Sequence, residues 1–172
     1  DLRFDVLFLN QAVLAANKIA LVNDTFYHYY RREDSGDSKI LPLNKIKSVL
    51  NVHKKILENI FSSEIVYSDI KGVKNICLWS IEACLLYAYR THSAEGMKLC
   101  CEYAILFYQM SQKYLSEKKD TILPIIWHYL EANDINGLIE CYQKNNSAIK
   151  MLSANFRHLH AKKHTNNERG NG

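Results

Sequence analysis

The sequence predicts a mainly α protein: a short α/β piece followed by an antiparallel helical bundle. Three observations carry this. Gly and Pro are scarce, at 6 and 2 among 172 residues, whereas a strand-rich sandwich needs many turns. Apolar residues make up 48%, enough for a packed core rather than a disordered coil. Strand-type runs are confined to residues 19–32, and helical spacing takes over from Pro42 onward.

Residues 5–17 read as a helix, because Val6, Leu9, Val13 and Ala16 lie near the i, i+3, i+4, i+7 pattern. The chain begins at Asp1 without Met and runs at once into this apolar pattern. That reads as a cut in mid-fold: either the protein is processed, or these residues are the C-terminal part of something longer. Residues 19–22 are β-branched and apolar between polar flanks and read as a strand. Residues 26–32 form an aromatic run of strand type, and residues 33–39, polar with Gly36, read as a loop.

Pro42 sits where a helix can start, since its missing N–H is harmless in the first turn. Ile46, Val49, Leu50, Ile56, Leu57 and Ile60 then mark a helix ending near Ser62 and Ser63. A second is expected over residues 68–90 and a third over 93–116, both rich in Leu, Cys, Tyr and Ala. Lys118, Lys119 and Asp120 break the pattern. Thr121 can cap a fourth helix, with Pro124 in its first turn and its end near Asn133. Residues 134–145 make a short fifth and 147–156 a sixth. The chain thus divides into residues 1–40, a helical stretch over 41–157, and a basic, disordered tail over 158–172.

The net charge of +4, from 22 basic and 18 acidic side chains, is mild and spread along the chain. It offers no basic stripe for nucleic acid, although it is compatible with work beside an anionic membrane. The five cysteines, Cys77, Cys84, Cys100, Cys101 and Cys141, form no Cys-x-x-Cys pair. They fall inside apolar helical patterns and read as buried reduced thiols, which suits a reducing compartment. No signal-peptide pattern is read in these residues. The longest candidate span, residues 76–89, is interrupted by Ser80 and Glu82. A cytoplasmic location follows, with contact at the inner membrane face left open.

Two places could carry chemistry. Asp5 lies near the N-terminus of the first helix, where the dipole and free backbone N–H groups keep a carboxylate ionised, as a general base requires. The commoner reading of such a residue is a plain N-terminal helix position. In the strand-type segment, Phe26, His28 and Tyr30 would face one way and Tyr27, Tyr29 and Arg31 the other. One face would pack and the other present phenols and guanidinium groups to a cleft, since Arg recognises phosphate through paired hydrogen bonds. The alternative is an amphipathic edge strand. His158, His160 and His164, with Arg157, Lys162 and Lys163, match no closed zinc site and read as a solvated basic tail. Trp79 and Trp127 read as core residues.

The order of these motifs resembles the end of the catalytic domain in family-2 glycosyltransferases of the GT-A fold. In that family a Glu-Asp pair precedes an apolar helix, followed by a segment like Ala-x-x-Ile, a strand and a Tyr-x-Tyr-Arg-x-Arg-x-x-Ser stretch. Here Phe4-Asp5 precedes Val6-Leu7-Phe8, then come Ala16-Asn17-Lys18-Ile19 and Tyr27-His28-Tyr29-Tyr30-Arg31-Arg32-Glu33-Asp34-Ser35. The resemblance covers residues 1–38. Phe4 stands where the family carries Glu, and Tyr30 where it carries the first Arg.

The resemblance implies that residues 1–40 are the C-terminal end of a GT-A domain, a short α/β remnant, and that the helices beyond are an extension contacting acceptor, membrane or another subunit. It implies transfer of a sugar from a nucleotide-sugar donor to a saccharide or lipid-linked acceptor hydroxyl, in surface or capsular saccharide synthesis. Asp5 would be the base. Tyr27, Tyr29, Arg31, Arg32 and Ser35 would bind substrate, the arginines steadying the diphosphate. His28 would be a metal ligand, against the commoner reading of a packed strand histidine. The family's divalent metal, Mn or Mg, is held chiefly by an upstream Asp-x-Asp motif, and this chain contains none. The fragment alone would then be inactive. A non-catalytic helical interaction module and a peripheral membrane adaptor using the basic tail are the alternatives.

Overall fold

The computed structural model describes residues 4–16, 18, 41–64, 69–91, 93–115 and 126–144. The described residues form six α-helices and one 3-10 turn, without a strand. The expected strands over 19–22 and 26–32, the loop over 33–39, the cap at Thr121 with Pro124, the helix over 147–156 and the basic tail lie outside the described residues. The chain divides into two compact units, residues 1–116 and 117–172.

In the first unit, α1 spans Phe4–Ala15, α2 Leu43–Phe61, α3 Ile70–Thr91 and α4 Ala94–Ser111. A 3-10 turn over Gln112–Tyr114 follows α4, where the periodicity predicts one helix running on to residue 116. Pro42 stands one place before the helix rather than in its first turn. Its backbone is extended, with φ −66° and ψ 151°, and its carbonyl accepts the N–H groups of Lys45 and Ile46.

Helix directions follow from named contacts. The Leu41 N–H donates to the Arg90 carbonyl at 3.4 Å, and His53 meets Ser80 twelve residues on along α2 and ten back along α3. So α2 and α3 are antiparallel. Asn51 meets Tyr103 and Phe61 stacks on Tyr114 at 5.2 Å, so α2 and α4 run parallel. Cys84 lies beside Cys100 and Cys101, while Cys77 faces Ser111, which makes α3 and α4 antiparallel. The result is an up–down–up three-helix bundle, with sequential neighbours antiparallel as the short breaks predict.

Its core has one stripe from each helix. From α2 come Ile46, Val49, Leu50, His53, Ile56, Leu57 and Ile60. Across the α3–α4 seam the buried side chains are small, with Cys77, Ser80, Cys84 and Ala88 on α3 and Cys100, Cys101, Ala104 and Ser111 on α4. Small residues let two backbones approach closely. Here α1 packs on α2, and the Asn59 amide donates to Asn10 Oδ1 at 3.3 Å.

In the second unit, α5 spans Trp127–Glu131 and α6 Ile135–Lys144, and the two pack together. The corner between them is tight. Asn133 takes the left-handed conformation, φ 56°, which Asn tolerates better than most residues. The Asp134 N–H reaches the Tyr129 carbonyl and the Asn133 N–H the Leu130 carbonyl, the paired bonds of a Schellman ending. Asp134 then caps α6, accepting the Gly137 N–H at 2.8 Å. No helix among the described residues is long and apolar enough to cross a membrane.

Candidate functional site

Asp5 lies in the first turn of α1, which begins at Phe4. The helix predicted there is present, so the backbone places Asp5 at the positive end of the dipole. Tyr27, His28, Tyr29, Arg31, Arg32 and Ser35 lie outside the described residues, and nothing described joins them to Asp5.

Helix α1 itself is unusual. From Val6 to Ala15 it carries no charged residue, and its apolar residues are spread around the helix. Helices of that composition are normally enclosed by protein or lipid. Yet Phe8 is 73% exposed, Leu9 62% and Val13 41%. One side meets α2, and the other is open.

Polar and ionisable groups inside the bundle are the remaining candidates. His53 is fully buried. Its Nδ1 shares a hydrogen bond with Ser80 Oγ at 3.3 Å, and its ring lies 4.3 Å from Trp79 and 6.4 Å from Phe107. This residue ties all three helices together. Sequence reasoning passed over it, although its place seven residues after Ile46 on the apolar face of α2 marks it as a core position. Trp79, expected in the core, is half-buried against His53, whereas Trp127 is buried, its indole N–H donating to Glu131 at 3.0 Å.

All five cysteines are reduced and buried, as their apolar settings predict. Burial pushes the Cys84 thiol far up, reinforced by Cys100 and Cys101 alongside, and its S–H donates to the Ser80 carbonyl at 3.3 Å. Burial also raises Cys77, offset in part by Ser111, and pushes Cys101 up to about 12. A thiol acts as nucleophile or ligand through its thiolate; these three are packing groups. Glu82 is the other shifted acid. Burial pushes its carboxyl from 4.5 to about 7. It has no hydrogen-bond or ion-pair partner among the described residues, so it lacks the neighbour that an acid–base pair needs.

No group of three or more His, Cys, Asp or Glu side chains among the described residues could hold a metal ion. Set against protein-family models, characterised proteins and solved structures, the chain finds no match in any of the three.

Proposed function

We propose that this chain is the C-terminal portion of a family-2 glycosyltransferase, with residues 1–40 closing a GT-A domain and the helices from α2 onward forming its extension. The observation that supports this is α1. Past Phe4-Asp5 the helix carries no charge and is apolar around its circumference, and it leaves Phe8, Leu9 and Val13 in water. Burying one such side chain is worth about 1.5–3 kcal/mol, so the open side calls for a cover. The upstream nucleotide-binding α/β unit that the resemblance implies would supply one.

On this reading Asp5 removes the proton of the acceptor hydroxyl. The freed oxygen attacks the anomeric carbon, and the bond to the diphosphate breaks with its electron pair leaving on the diphosphate. Arg31 and Arg32 steady that diphosphate through paired hydrogen bonds, Tyr27 and Tyr29 offer stacking surfaces, and Ser35 orders the loop. The family's divalent metal would neutralise leaving-group charge. The described residues do not build a site for it. The location that goes with this activity is the cytoplasm, with contact at the inner membrane face left open.

A non-catalytic interaction module is favoured by a different observation: helices α2 to α4 close a core of their own. The sequence encoded upstream of Asp1 separates the two. A strand–helix alternation carrying an Asp-x-Asp motif supports the transferase, and its absence overturns it. In the enzyme joined to that upstream half, Asp5→Asn should abolish transfer with donor binding near wild type. Loss of a general base costs ~100- to 10,000-fold in rate. Arg32→Ala should weaken donor binding and rate together, because a diphosphate contact acts in ground and transition states alike. Steady-state kinetics with donor titration decide. Asp5→Asn retaining more than about a tenth of the activity would make Asp5 a first-turn residue with no part in proton transfer.

A further inference from the structure

We draw no further inference here: the strongest candidate, the exposed apolar side of α1 formed by Phe8, Leu9 and Val13, already supports the proposed function, and nothing in the described residues shows what covers it.

Discussion

Three helices start on the same small device. Asp69, Ser93 and Asp134 each precede a helix and accept the N–H of a glycine three residues on, at 2.9, 3.0 and 2.8 Å. A Cβ at Gly96 would run into the Thr91 and Ser93 hydroxyls, which themselves share a hydrogen bond at 2.9 Å. Glycine therefore leaves the cap room to fold over the helix end. Ser93→Ala should lower stability by about 1 kcal/mol, read as a shift in the urea midpoint. An unchanged midpoint would mean that water satisfies the Gly96 N–H equally well. The Ser93 start was legible in the sequence, but the recurring Asp/Ser-x-x-Gly pattern was not. Its meaning lies in the side chain leaning over the glycine, which spacing alone does not reveal.

Glu82 makes a pH-dependent contribution of definite sign. Its carboxyl is raised to about 7 in the folded chain from 4.5, so between these values the folded state holds a proton that the unfolded state has lost. Stability falls as pH rises through that window, and the whole penalty is present above about 7. Glu82→Gln should match wild type in urea at pH 4 and exceed it at pH 8. Equal midpoints at both would show that the carboxyl is solvated after all. The sequence flagged Glu82 only as an interruption in an apolar run. How far a half-turn position sinks depends on the packing around it.

Among the elements, α2 was the most readable. Its stripe of branched side chains stands out against Lys45, Lys47, Lys54 and Lys55 on the wet side, so its face and length follow from periodicity. Helices α3 and α4 were readable as helices, whereas their register was not, because cysteine, serine and alanine give little contrast between faces. For α1, periodicity gave the helix through Val6, Leu9, Val13 and Ala16, yet Leu9, Val13 and Ala16 are exposed. A helix apolar around its circumference has no preferred face until a neighbour chooses one. Replacing Phe8 and Leu9 together by Ser should lower dye binding to exposed apolar surface and reduce self-association, leaving the urea midpoint of the bundle nearly unmoved. A large loss of stability instead would mean that these side chains already pack in the isolated chain.

Across the whole first unit, the up–down–up course makes α2 and α4 parallel neighbours although they are distant in sequence. Their direct tie, the Tyr103 hydroxyl donating to Asn51 Oδ1 at 2.6 Å, spans 52 positions. The α2–α3 tie from His53 to Ser80 spans 27. By contrast α3 and α4 are separated by two residues of sequence and share the most extensive contact in the unit. The entropy of closing a loop rises with its length, so the order of assembly is written into this geometry. The α3–α4 hairpin should form in the rate-limiting transition state, with α2 docking later. In stopped-flow refolding, Cys84→Ala should slow folding, while Ile46→Val should mainly speed unfolding. The opposite partition would place α2 in the nucleus. A chain emerging from synthesis would therefore leave the face of α2 that meets α3 and α4 uncovered until most of α4 had been made, its apolar stripe open to whatever else was near.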